Sequence, residues 1–178
     1  MSDDIQELSN KSQLDNDQYL TFILSEEEFS LPIIHIKEIV EYCEITPVPL
    51  VPSFIKGVIN LRGGVVPVIG LAERFGMEAG EITKRTCIVI VEIEHDSEVA
   101  LMGCIVDKVL QVRDIEDDVI DPAPSFGSTI NIDFIKGMAK IDEKIVAILE
   151  IEKILSVEEI AIVREMNKNK ENATDDAD

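Results

Sequence analysis

The sequence has few aromatic residues and no tryptophan. Only 4% of its 178 residues are Phe or Tyr, although 46% of the chain is hydrophobic. A core with so little aromatic bulk must be built from aliphatic side chains, and Val and Ile are plentiful. Because β-branched residues pack well on a pleated surface, the composition predicts a protein rich in β-strand. A chain of this length forms one large domain or two small ones.

Basic residues are scarce as well. The chain has 16 Lys and Arg against 36 Asp and Glu, which gives a net charge of −20. Both termini are acidic, but most of the excess belongs to residues 18–164. Such a field repels polyanions, which argues against nucleic acid and anionic membrane surfaces as partners. High solubility is the simpler explanation of the charge.

Cysteine and histidine are too few and too scattered to suggest a metal or catalytic centre. Cys43, Cys87 and Cys104 form no C-x-x-C pair and lie in apolar stretches, where a free thiol behaves as a small hydrophobe. They fit a reducing cytoplasm better than a disulfide framework. His35 and His95 have no nucleophile motif beside them. We therefore expect no metal, no cofactor and no enzymatic activity.

Long apolar runs are also missing. No uncharged stretch reaches the roughly 18 residues that a membrane-spanning helix needs. The start of the chain, MSDDIQELSNKSQLDND, is polar and acidic and does not resemble a signal peptide. We expect a cytoplasmic protein without direct membrane insertion. A flexible acidic arm is predicted for residues 1–17 and a disordered acidic tail for residues 165–178.

The clearest positive feature is an internal repeat. The tetrapeptide FIKG occurs at 54–57 and again at 134–137, and the apolar pattern that follows agrees over 54–71 and 134–151. Each segment is typical of a β-hairpin. Two similar small β-barrels are therefore predicted, since a barrel removes the open edges of an antiparallel sheet. The two turns differ: the first has Arg-Gly-Gly where the second has Asp-Glu-Lys.

Other segments add detail to this pattern. YLTFIL (19–24) and FSLPI (29–33) are typical of paired strands. The apolar residues between 36 and 40 recur at helical spacing, which predicts a short helix with Glu38 on its polar side. Ser156 and Glu159 form a capping-box pattern that predicts a helix near residues 157–166.

Arg62 is the only charged residue between Lys56 and Glu73. A guanidinium without a partner is not buried in an aliphatic core, so we expect Arg62 at the exposed tip of the first hairpin. One interpretation is a solvated turn residue that contributes little to stability. The other is a planar, charged fork that is presented to a protein partner. The residues alone leave both open.

The stretch from residue 48 to residue 76 strongly resembles the family of chemotaxis coupling proteins called CheW. A proline-rich approach is followed by F-I-x-G, N-L-R-G, V-P-V and R-F-G in that order. The segments 19–39 and DPAPSF (121–126) are similar to the family too, so the likeness covers about 18–164. It implies a mainly β fold of two intertwined five-stranded SH3-like β-barrel subdomains, with short helices and a C-terminal helix.

The resemblance also implies a function. Proteins of this kind are non-enzymatic adaptors that couple chemoreceptors to the histidine kinase CheA. They contact the cytoplasmic tips of the receptors and the regulatory domain of the kinase. The chain would then join membrane receptor arrays through its partners. An adaptor of another chemosensory-type kinase pathway is the alternative. A small-molecule-binding or hydrolytic β-barrel is a more distant one, for which no polar constellation is visible.

Candidate site residues follow from the same resemblance. The family's receptor-binding positions fall on Ile36, Glu38 and Arg62. Glu38 lies on the polar side of the predicted helix, whereas Ile36 lies on the apolar side, where burial in the core is an equally good interpretation. Phe126, in the proline-containing loop, is a candidate for the kinase contact. A large aromatic on a loop either packs into the core or anchors an interface.

Overall fold

The computed structural model describes the backbone of residues 17–95, 97–122 and 134–176, and it confirms the predicted mainly β fold. The strands in these residues are β1 (Gln18–Leu24), β2 (Glu27–Pro32), β3 (Ile36–Glu41), β4 (Ile55–Leu61), β5 (Gly64–Gly70), β6 (Cys87–His95), β7 (Glu98–Val106), β8 (Lys108–Asp114), β9 (Ile120–Asp121), β10 (Ile135–Ile141) and β11 (Lys144–Leu149). The α-helices are α1 (Leu71–Arg74), α2 (Ile151–Ile154) and α3 (Val157–Asp176).

The strands form two sheets, and the six-stranded sheet combines strands from both ends of the chain. The six-stranded sheet has the order β8-β1-β2-β11-β10-β9, and the five-stranded sheet has the order β3-β6-β7-β5-β4. The N-terminal hairpin β1–β2 therefore completes the sheet that the C-terminal strands build. The chain passes between the sheets at Asp107, which separates β7 from β8 and whose backbone N–H donates to the carbonyl of Ile23 at 3.0 Å.

The detail of two five-stranded SH3-like barrels is not confirmed. In the described residues one sheet has six strands, and neither sheet forms a closed barrel. In the five-stranded sheet the edge strands β3 and β4 do not pair along their length. Instead, the segment after β3 reaches β4 through an isolated antiparallel bridge between Thr46 and Val58. A single bridge brings the two edges together without the continuous ladder that closure requires.

The two segments that share the FIKG repeat have the same local structure. Both form antiparallel hairpins, β4–β5 and β10–β11, and in both the register shifts around the glycine of FIKG. Each second strand pairs in parallel with a strand from elsewhere, β5 with β7 and β11 with β2. A backbone hydrogen bond joins the open ends of each hairpin. The Gly70 N–H donates to the Phe54 carbonyl at 2.7 Å, and the Glu150 N–H donates to the Phe134 carbonyl at 2.9 Å.

The FIKG glycines stand where another segment passes very close. A Cβ on Gly57 would overlap the carbonyl of Thr46, and one on Gly137 would lie 2.7 Å from the carbonyl oxygen of Asp121. Gly57 also has φ +147. Both copies of the repeat have glycine here because another segment of the backbone passes close by in each half of the molecule.

The main core lies where the two sheets meet and has a cation at its margin. Phe75 is buried and its ring centroid lies 5.2 Å from that of Phe134. The adjacent Arg74 has its guanidinium carbon 4.8 Å from the ring centroid of Phe54 and 4.7 Å from that of Phe134. One arginine thus contacts the FIKG phenylalanine of both repeats, an arrangement in which the ring faces attract the charge.

The last helix begins as the capping box predicts. The Ser156 backbone N–H donates to Glu159 Oε1 at 2.7 Å, and the Glu159 backbone N–H donates to Ser156 Oγ at 3.1 Å. The helix then continues beyond residue 166 to Asp176.

Candidate functional site

The first hairpin ends in a tight two-residue turn that places Arg62 at its tip. Arg62 and Gly63 have φ values of +53 and +82, as a type I′ turn requires at both central positions. The two left-handed residues are thus Arg62 and Gly63, and Gly64 is the first residue of β5. The side chain of Asn60 stabilises the turn, because its Oδ1 accepts a hydrogen bond from the Gly63 backbone N–H at 3.1 Å.

Asn60 is a residue whose role the sequence analysis missed. An Asn whose side chain accepts a bond from a backbone N–H a few residues on is a known turn signal. Here it stands three residues before the glycine, and that spacing could have identified it. Its hydrogen bond holds the turn that presents Arg62.

The residues from 36 to 41 form a strand and not the predicted helix. Only Ile33–His35 make a helical turn, of the 3-10 type, and β3 follows directly. Its residues pair with β6, with Glu38 opposite Ile90 and Val40 opposite Ile88. Ile36 and Val40 also fit the two-residue period of a strand, and pairing with β6 decides in favour of the strand, on which Ile39 is exposed. Glu38 therefore projects from the edge of a sheet.

Glu38 and Arg62 are brought together into a two-pronged ion pair. Arg62 Nη1 donates to Glu38 Oε2 at 2.7 Å and Nη2 donates to Oε1 at 3.1 Å. The Arg62 side chain is 75% exposed and the Glu38 side chain 20% exposed. A guanidinium has five N–H donors, so three remain free of Glu38. The Glu38 carboxylate orients the Arg62 guanidinium, and the Arg62 side chain remains largely exposed to solvent.

An exposed ion pair of this kind contributes little to stability, typically about 0 to 1 kcal/mol. Its main physical effect is orientation, since a fork held on both arms loses less entropy on binding a partner. The groups it can bind are hydrogen-bond acceptors, either carboxylates or carbonyl oxygens.

Ile36 lies at the start of β3, opposite Val91. It is partly buried and packs against the main core. The register of the β3–β6 ladder shifts between Ile36 and Glu38. Ile36 thus lies close to Glu38 along the strand with part of its side chain accessible. The predicted site residue Phe126 lies outside the described residues.

Among the described residues, no group of three or more His, Cys, Asp and Glu side chains is arranged to hold a metal ion. No described helix is long and apolar enough to cross a membrane.

Comparison with known proteins identifies the family. Residues 18–159 match the family model of the CheW-like domain. The chemotaxis protein CheW of Klebsiella aerogenes is 32% identical over 152 residues, which cover 85% of this chain and 89% of that protein. The chemotaxis protein CheW of Helicobacter pylori is 35% identical over 150 residues, covering 83% and 88%.

A solved structure agrees with these relatives. The crystal structure of the scaffolding protein TtCheW from Thermoanaerobacter tengcongensis is similar with a TM-score of 0.72 and 38% sequence identity. The match covers 79% of this chain and 88% of that one. The family model, the relatives and the structure all span most of the chain, and the chain therefore belongs to the CheW family.

Proposed function

We propose that this protein is a non-enzymatic adaptor that couples chemoreceptors to the histidine kinase CheA in chemotaxis signal transduction. Membership of the CheW family over residues 18–159 carries this conclusion. By binding a receptor and a kinase on different faces, an adaptor raises the effective concentration of each for the other. The chain needs no catalytic group for this task, only two separate binding surfaces.

The receptor-binding surface that we propose is centred on Arg62, with Glu38 and Ile36 beside it. The support is geometric: Glu38 aligns the guanidinium through two hydrogen bonds, and the Arg62 side chain stays largely exposed. Partly exposed Ile36 adds apolar area next to the charged pair. A surface that combines an oriented arginine with apolar area has the composition of a protein–protein contact.

The finer partners are part of the same proposal. The receptor contact is with the cytoplasmic tips of the receptors, and the kinase contact is with the regulatory domain of CheA. Phe126 is proposed for the kinase-facing surface on the basis of the sequence alone. The adaptor would work in the cytoplasm and join membrane receptor arrays through these partners.

The test is a pair of binding measurements on the purified full chain. One uses the CheA regulatory domain and the other a receptor cytoplasmic fragment, followed by a competition between the two. We expect both to bind with dissociation constants near micromolar, about −8 kcal/mol, and to occupy the adaptor together. Failure to bind either partner would overturn the proposed function. Binding only to the receptor and kinase of another chemosensory pathway would replace it by the alternative.

A further inference from the structure

Leu50 is the most exposed large apolar side chain in the part of the chain that the structure describes. Its relative exposure is 103%. Its backbone has φ +61, in the left-handed region that large apolar residues rarely adopt. Asn and Asp tolerate this region because their short polar side chains bond locally, and Leu has no such compensation. One position thus combines a strained backbone with an apolar side chain that lies wholly in water.

The neighbours of Leu50 keep it in this position. Val48 and Val51, on either side, are partly buried and pack against the main core. The carbonyl of Pro52 accepts a hydrogen bond from the Ile55 backbone N–H at 2.9 Å, which ties the loop to the start of β4. Backbone strain persists where the surroundings impose it, and such positions are often functional. The loop therefore presents Leu50 in a preformed conformation.

The loop is not a polyproline ligand, although its sequence suggests one. Pro49-Leu50-Val51-Pro52 matches the P-x-x-P pattern of segments that bind as a left-handed polyproline helix. That helix needs φ near −75° at every residue, and the value of +61 at Leu50 interrupts it. What the loop offers to a partner is a single projecting leucine.

The position of Leu50 indicates which partner it serves. Leu50 precedes β4 and Arg62 follows its last residue, so the seven-residue strand lies between them in the chain. Residues 45–55 carry no charge in a chain of net charge −20, so an apolar pocket on a partner meets no charged side chain in this segment. An adaptor that holds its receptor at Arg62 has this end of the hairpin available for the second partner.

We propose that Leu50 is an anchor for the kinase and inserts into an apolar pocket on its surface. The inference rests on the proposed function, which assigns the Arg62 end of the hairpin to the receptor. Burial of a side chain that is already held in place removes apolar surface from water at a small entropic cost.

The test is the variant Leu50→Asn in the full chain. Asn accepts the left-handed backbone, so the melting temperature should equal or exceed that of the wild type. The affinity for CheA should fall by about tenfold or more, while the affinity for a receptor cytoplasmic fragment stays unchanged. A residue with a merely structural role would lower the melting temperature and weaken both interactions together.

Ile145→Asn is the matched control, because Ile145 is 65% exposed on β11 of the other sheet. It should bind CheA as the wild type does. The inference is overturned if Leu50→Asn binds CheA normally, if Ile145→Asn loses as much affinity, or if the loss is confined to the receptor. Wild-type protein that fails to bind CheA would overturn the proposed function as well, so the two failures are distinguishable.

Discussion

Arg113 on β8 donates from Nη1 to Oδ2 of Asp142 at 3.2 Å, and this pair repeats the Arg62–Glu38 pair with the charges exchanged. Asp142 stands at the tip of the second hairpin, 80 positions after Arg62, and Arg113 lies on an edge strand as Glu38 does. Both halves of the molecule thus join a hairpin tip to a sheet edge by an ion pair. Since either sign serves this purpose, the fold does not require arginine at position 62, which supports the proposed role of Arg62 in receptor binding.

Exchange of the two charges at the first tip separates recognition from folding. Arg62→Glu should weaken receptor binding about tenfold and change the free energy of unfolding by less than about 1 kcal/mol, because the pair is exposed. The double variant Arg62→Glu/Glu38→Arg restores the ion pair between the two positions, but the hairpin tip no longer carries a guanidinium. We therefore expect its receptor affinity to stay low in a calorimetric titration.

The matched control is the same exchange in the second half, Arg113→Asp/Asp142→Arg. It should leave receptor affinity unchanged. Full recovery of binding in the first double variant would show that only the internal pair matters, and the receptor contact of Arg62 would then be abandoned.

The turn itself can be tested with two adjacent glycines. Gly63 has φ +82 and no atom within 4 Å of an added Cβ, so Gly63→Ala suffers backbone strain alone and should lose about 1 to 2 kcal/mol. Gly64 lacks a positive φ, and an added Cβ would meet the Leu61 carbonyl oxygen at an ordinary 3.5 Å. Gly64→Ala should therefore stay within about 0.5 kcal/mol of the wild type. Urea unfolding of both variants compares them, and equal losses would argue against the type I′ turn.

Arg74 should be important for stability. Besides its two phenylalanine contacts, its Nε donates to the Ile154 carbonyl at 2.7 Å and its Nη2 donates to Glu159 Oε1 at 3.1 Å. Arg74→Met keeps an apolar stem but removes these bonds, and we expect a loss of about 2 to 3 kcal/mol in chemical unfolding.

Arg113→Met is the control for Arg74, because its side chain is similarly accessible, 28% against 21%, but its ion-pair partner is an exposed carboxylate. It should lose less than about 1 kcal/mol. Equal losses in the two variants would mean that Arg74 does not join the two repeats as its contacts indicate.

The three thiols should react in order of exposure. Cys43 is exposed, Cys87 is partly buried and Cys104 is fully buried. Burial raises the pKa of Cys104 to about 12, and burial together with the charge of Glu41 raises the pKa of Cys87. Iodoacetamide at pH 8 should label Cys43 first, Cys87 slowly and Cys104 only after unfolding, as peptide mass spectrometry can show.

The same shift predicts a pH dependence of stability. The folded chain keeps the Cys104 proton up to about pH 12, whereas the unfolded chain releases it near 9.0. The folded state therefore binds more protons between these values, and stability falls as the pH rises through that window. Cys104→Ala should lose less stability over the same range. An identical alkaline loss in the variant would assign the effect to other groups.

Local chemistry in the sequence determined the hairpins, the helix start and the family. The segments YLTFIL and FSLPI predicted β1 and β2, and the FIKG repeat located β4–β5 and β10–β11. The Ser156–Glu159 pattern predicted where the last helix begins. These signals act between residues that are close in the chain, so they can be recognised without knowledge of the fold.

Contacts between distant residues decided the rest. The apolar spacing of residues 36–41 predicts a helix, but pairing with β6 makes them a strand. The hairpin β1–β2 pairs with β8 and β11, which lie more than 80 residues away in the chain. Local sequence signals do not reach over that separation. Arg62 meets Glu38, and Leu50 is held out in water, only because the tertiary structure places them there. Such contacts depend on how the two sheets pack. Local propensity and the spacing of apolar residues do not specify that packing.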